Sequence, residues 1–335
     1  MPTRRTVTFL IPWLVGSLLV GAALAERIEL KADCDDELWI LSTRHLQCPC
    51  SRFHSKSHTS TSHTGMSHTG MSPGLEFEVR RHDSAAGWQP ESVDALLEDE
   101  PSVVTAVYVH GNRIEADEVE YSAFQAYEGL RCSGAPRTRV IFWSWPSDKI
   151  RGQMRDIRYK IHRSACESHY LAEFLCRQAS NRRLVLVGYS LGARVAVGAM
   201  QWLGGGSLEP EGVLLDCEEA PNVRVAVSLM APAIKDHSLF PEGRSSLATR
   251  QMDDLQVLHN SLDPVLKRFW LTDRSAHPSA MGYSGIPFGC GELGVPNRQY
   301  DLRDEIGRAH HFRHYFSSCE ITELLRSQIR ARAEY

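Results

Sequence analysis

Ser190 lies within Gly188-Tyr189-Ser190-Leu191-Gly192, a G-x-S-x-G spacing. A serine hydroxyl attacks an acyl carbon only when it is accessible, when a base takes its proton and when donors receive the oxyanion. Glycines two residues before and after the serine allow a strand to turn sharply into a helix, because any side chain there would collide with the neighbouring elements. Such a turn exposes the Ser190 Oγ at the start of a helix, whose free N–H groups favour a developing anion. Leu191 N–H is then an oxyanion donor.

The elements that would hold this turn are legible on both sides. Leu184 to Val187 carries the branched aliphatics of a buried strand, closing at Gly188, and small, helix-compatible residues follow to Met200. Further strands are predicted at Ser102–His110, Arg139–Trp143, Val223–Leu229, Leu255–His259 and near Tyr300–Leu302. Glu37–Leu46 and Leu75–His82 read as two early strands, the second alternating Leu75, Phe77 and Val79 with charged residues. Helices are predicted over Tyr121–Leu130 and Gln153–Gln178. The second turns Ile157, Ile161, Ala165, Leu171 and Leu175 inward and Arg155, Arg158 and Arg163 outward. Gly204–Asn222 reads as a loop, and Trp143 and Trp145 read as lining a pocket or filling the core edge, their place at a strand's carboxyl end favouring the pocket. Alternation of strands with helices or loops implies an α/β protein, its mostly parallel sheet covered by helices on both faces.

An elbow serine is followed along the chain by an acid and then a histidine. Asp263 falls just past the second strand after Ser190, on a loop at the carboxyl end of the sheet, where the acid belongs. Asp216 precedes the first of those strands, and Asp253 and Asp254 lie at the wrong end of the second. The base must come from Ile306–Ser318, where His310, His311 and His314 all qualify by order.

The bulk numbers narrow the function classes. The 335 residues are 42% hydrophobic and 23% charged, ordinary for a globular protein with one large core. A formal net charge of −4 and the lack of a long basic block argue against nucleic acid as a partner. Residues 1–25 have Arg4 and Arg5, an apolar run and Ala23-Leu24-Ala25, the pattern of a signal peptide cleaved after Ala25. Residues 26–335 are then an exported domain (secreted, periplasmic or in the cell envelope), membrane-associated only if the leader is retained. Residues 51–73 are mostly Ser, Thr, His and Gly, with SHTGM repeated, and are expected to be a disordered insertion rather than a metal site. Nine cysteines leave at least one outside any intramolecular disulfide, and no metal-ligand spacing follows Cys48-Pro-Cys50. No metal and no cofactor are expected.

The runs VYVHGN, FWSWPSD, VGYSLGARV, NSLDPVLKR and RAHHFRHYFSS, in this order over roughly residues 100–320, resemble the α/β-hydrolase superfamily. More narrowly, they resemble a group of largely uncharacterised serine-hydrolase-like proteins with an H-G-N loop, a W-P-S turn and a late H-x4-Y-[LF]-S. The resemblance implies a second oxyanion donor just after the glycine of His110-Gly111, at Asn112 or Arg113, with Asn112 preferred and His110 buttressing the loop. It makes His310, five residues before Tyr315, the base, with His311 the alternative. An HGGG-type oxyanion loop is absent, and the His-rich insertion is foreign to the group. The expected function is a Ser-Asp-His hydrolase cleaving a small-molecule carboxylic ester, or a thioester or amide, through an acyl-enzyme. A non-catalytic binding protein that kept the fold is the alternative.

Overall fold

Nine strands form one sheet among the described residues: β1 (Glu37–Ser42), β2 (Glu78–Asp83), β3 (Gly87–Glu91), β4 (Val103–Val109), β5 (Arg137–Ser144), β6 (Leu184–Tyr189), β7 (Val225–Met230), β8 (Met252–His259) and β9 (Asn297–Asp301). Eight helices accompany them: α1 (Val93–Leu97), α2 (Val119–Leu130), α3 (Gln153–Cys176), α4 (Leu191–Leu203), α5 (Met281–Ser284), α6 (Arg303–Ile306), α7 (Phe312–Ser317) and α8 (Cys319–Arg332). The computed structural model describes residues 36–48, 76–133, 136–208, 215, 217–272, 276–287 and 293–334. The expected leader at 1–25, the 51–73 insertion, Asp216, Cys34, Cys50 and Cys290 lie outside these residues.

The strand order is β3-β2-β1-β5-β4-β6-β7-β8-β9. Every pairing from β1 through β9 is parallel, and β2 runs antiparallel to both β1 and β3. The chain steps from β4 to β5 in one direction and from β6 to β7 in the other. Right-handed crossovers therefore place α2 and α4 on opposite faces of the sheet. Helix α3 packs on α4, and α2 packs on α7 and α8.

A sheet covered on both faces needs apolar residues at successive positions. All seven residues of β4 and all six of β6 and of β7 are buried accordingly. The order reverses at β4, between β5 and β6, and the carboxyl ends of these strands form the crevice where open α/β sheets place ligands. The predicted strands are all found, with ends moved by a few residues. β3 was not foreseen: GWQPE is exposed or half-buried and carries a glycine and a proline, which only an edge strand tolerates.

Three side-chain placements correct the sequence expectations. Trp143 and Trp145 are fully buried; Trp143 packs against Phe77 and Phe174, and Trp145 stacks on His110, so both belong to the core. Arg163 does not face solvent: it is buried in an ion pair with Glu167, one turn away on α3. Ile157 and Ile161 are only half-buried, because they line a cavity.

Among the described residues, two disulfides, Cys48–Cys166 and Cys176–Cys217, tie the stretch after β1 and the approach to β7 to the two ends of the second half of α3. Cys132 is free and buried, and Cys319 is free and exposed.

Candidate active site

Strand β6 leads directly into α4 through Ser190, whose φ of 52° and ψ of −115° place a non-glycine residue in left-handed backbone. Each glycine of the motif is required by backbone atoms. A Cβ on Gly188 would lie 2.6 Å from the Ala193 Cα, and one on Gly192 would overlap the carbonyls of Val109 and His110. The serine amide is tied down by the Met230 carbonyl at 2.9 Å. Arg113 and Ala231, just past β4 and β7, also have positive φ, at 63° and 45°. Backbone strain thus gathers at the carboxyl ends of three adjacent central strands, the usual location of functional strain.

His310 reaches this turn from the loop before α7. Its Nε2 lies 3.1 Å from Ser190 Oγ, and its Nδ1 lies 2.5 Å from Asp263 Oδ2. A carboxylate can only accept, so Nδ1 carries the proton, which leaves Nε2 free to accept from the serine hydroxyl. Asp263 is fully buried, and its other oxygen accepts from the amides of Val265 at 2.8 Å and Leu266 at 3.0 Å. These contacts hold the carboxylate in one orientation. His311 accepts from the Arg313 amide instead, capping α7, while burial and the neighbouring Arg313 hold its imidazole below the ordinary histidine range. His314 is exposed on α7. Of the three histidines allowed by chain order, the structure brings His310 to Ser190 and Asp263.

The histidine loop is anchored by two residues that sequence reasoning did not single out. Tyr189 donates its hydroxyl to the His310 carbonyl. Burial, reinforced by Tyr315, Tyr108 and Asp263, raises this phenol well above its ordinary value, so it remains a donor. Asn260, fully buried, donates to the Gly307 carbonyl at 2.9 Å and accepts from the Leu262 amide at 3.0 Å. It therefore joins the loop bearing Asp263 to the loop bearing His310. The asparagine of Asn260-Ser261-Leu262-Asp263 was visible in the sequence, but its partner lies 47 residues away.

The loop after β4 is built around His110. Its Nδ1 donates to the Gly111 carbonyl at 2.7 Å, its Nε2 accepts from the Trp145 amide at 3.2 Å, and the ring stacks between Phe142 and Trp145. Burial, with the Arg44 guanidinium adding to it, pushes the imidazole down to about 3, so it is neutral and structural. The Arg113 amide donates to the Ser147 carbonyl at 2.9 Å, which leaves the Asn112 amide as the donor this loop can offer. Asp156, fully buried on the first turns of α3, accepts from Asn112 Nδ2 at 3.2 Å, Arg113 Nε at 3.1 Å and the Ile150 amide at 3.2 Å. It fastens the loop to α3, a role its position in an amphipathic helix pattern did not reveal.

Ser190, Leu191, Asn112 and His310 all border a single cavity of about 590 Å³. One wall is the first two turns of α3, and the other is the 3-10 helix Leu266–Thr272, which follows Asp263 in the chain. Among the described residues, no group of three or more His, Cys, Asp or Glu side chains could hold a metal ion.

No protein-family model matches the chain, and neither does any curated protein. Among solved structures, it is similar to one described as esterase B from Lactobacillus rhamnosis with a C4-C4 sn3 tributyrin phosphonate. That likeness has a TM-score of 0.32 at 12% identity, covering 71% of this chain and 78% of the other. It bears no weight for the chemistry, which is read from the site itself.

Proposed function

We propose that the protein is a serine hydrolase of the α/β-hydrolase type that cleaves a carboxylic ester, or a thioester or amide, through an acyl-enzyme. The observation that carries this reading is the continuous hydrogen-bonded chain from Ser190 Oγ through His310 to the buried Asp263 carboxylate. As Ser190 Oγ bonds to the acyl carbon, His310 Nε2 takes its proton and Asp263 stabilises the imidazolium. The oxyanion is received by the N–H groups of Leu191, at the start of α4, and Asn112. When the tetrahedral intermediate collapses, the alcohol leaves with the proton held by His310. A water then attacks the acyl-serine by the same route in reverse, and the acid departs.

Two disulfides support an exported protein, since such bonds persist in oxidising compartments. No helix of the described residues is long and apolar enough to cross a membrane.

The test is intact mass after incubation with a fluorophosphonate, with Ser190→Ala as control. A single adduct on the native protein that is absent from the variant is the expected result. Turnover should fall in the variant by a factor on the order of a million. Folded protein that takes no adduct would overturn the reading in favour of a non-catalytic binding protein on the same fold.

A further inference from the structure

The cavity beside Ser190 is apolar along most of its length. Helix α3 presents Met154, Ile157 and Ile161 on one stripe, and the opposing wall presents Val265, then Leu266 and Phe269 of the 3-10 helix. The three α3 residues are half-buried and adjoin along one wall, and a contiguous apolar surface of this kind marks a ligand-binding groove. Leu262, Val265 and Trp270, three of the five exposed large hydrophobic residues among those described, flank Asp263 on the same stretch of chain, and Val265 lines the cavity.

We propose that the substrate is the ester of an unbranched, medium-chain aliphatic acid, whose chain lies between α3 and the 3-10 helix with its carbonyl at Ser190. This rests on the hydrolase reading above. The groove opens directly onto Ser190 and His310, so its occupant must carry the electrophile, and its walls are mostly apolar, so an acyl chain finds contact there with few polar groups to desolvate. The size sets the length. At about 30 Å³ per non-hydrogen atom, a liquid-like share, the cavity holds about twenty such atoms. In a p-nitrophenyl ester the alcohol part takes about ten of these, which leaves roughly eight to ten carbons for the acyl chain.

The experiment is a series of p-nitrophenyl esters from acetate to palmitate, run beside fluorophosphonate labelling of the same preparation. The specificity constant kcat/KM should rise by about fourfold per methylene at most, peak near the eight- to ten-carbon acyl groups and fall for palmitate. Ile157→Trp should move the peak to shorter chains. Val265→Trp, at a half-exposed position where folding is not at risk, should do the same from the opposite wall. A protein that labels at Ser190 yet prefers acetate, or whose chain-length profile is flat or unmoved by both tryptophans, would overturn the proposal while the hydrolase reading stands. A folded protein that neither labels nor turns over any ester would overturn both.

Discussion

The turn carrying Ser190 and the loop carrying His310 meet at 3.1 Å but are specified in opposite ways. The turn is fixed by contacts within a few residues of itself and with the end of the adjacent strand β4: Gly188 against Ala193, Gly192 against Val109 and His110. The histidine loop is fixed from afar, by Asp263 and Asn260 47 residues earlier and by Tyr189 121 residues earlier. Steric necessity defines one half of the site and hydrogen bonds define the other. The first half should fail by not folding, and the second by folding with its chemistry disarmed.

Asp263→Asn provides the largest effect that separates the two halves, and the clearest test of the second. Asparagine keeps an acceptor for the Val265 and Leu266 amides, so the loop persists, but it can present an N–H to His310 Nδ1 and so favour the wrong tautomer. Turnover of an activated ester should drop by about four orders of magnitude with little change in thermal midpoint. A kinetically silent variant would remove Asp263 from the mechanism. Gly192→Ala tests the first half. Its Cβ would meet backbone carbonyls with no flexible side chain to yield, so destabilisation of at least about 3 kcal/mol is expected. For a chain of this size that is a fall in Tm of about 4 °C or more. An alanine variant with wild-type Tm would mean that the elbow is not held as tightly as these contacts require.

The same contrast explains what was legible in the sequence. G-x-S-x-G between a strand and a helix could be read directly, because any sharp strand-to-helix turn imposes the constraint and only glycine meets it. Asp263 followed from its place after a strand end, and the sheet followed from runs such as VVTAVYV and LVLVGY, whose uninterrupted burial needs helices on both faces. His310 was chosen over His311 and His314 only with the aid of a family resemblance, since three histidines within five residues satisfy chain order equally. What separates them is tertiary: His311 is used as a helix cap, and His314 faces solvent. Asp156, Asn260 and the cavity-lining role of Ile157 and Ile161 had no local signal. Periodicity cannot distinguish an aliphatic residue facing the core from one facing a cavity, nor an exposed Arg163 from one buried against Glu167.

The smallest effect sharpens the comparison most, because one substitution made at two tyrosines should act with opposite sign. Both hydroxyls sit in the core between sheet and helices. The Tyr189 hydroxyl donates to the His310 carbonyl, whereas the Tyr108 hydroxyl is fully buried and has no hydrogen-bond partner among the described residues. Tyr189→Phe deletes a donor and strands a carbonyl, so it should lower stability by about 1 kcal/mol and slow turnover several-fold as the histidine loop loosens. Tyr108→Phe removes a buried polar group that gains nothing from folding, so it should be neutral or raise stability by about 1 kcal/mol, with turnover unchanged. Chemical denaturation of the two variants at constant m-value measures both signs. If Tyr189→Phe were as benign as Tyr108→Phe in stability and turnover alike, Tyr189 would be only a core aromatic, and Asn260 and Asp263 would be left to hold His310 in place.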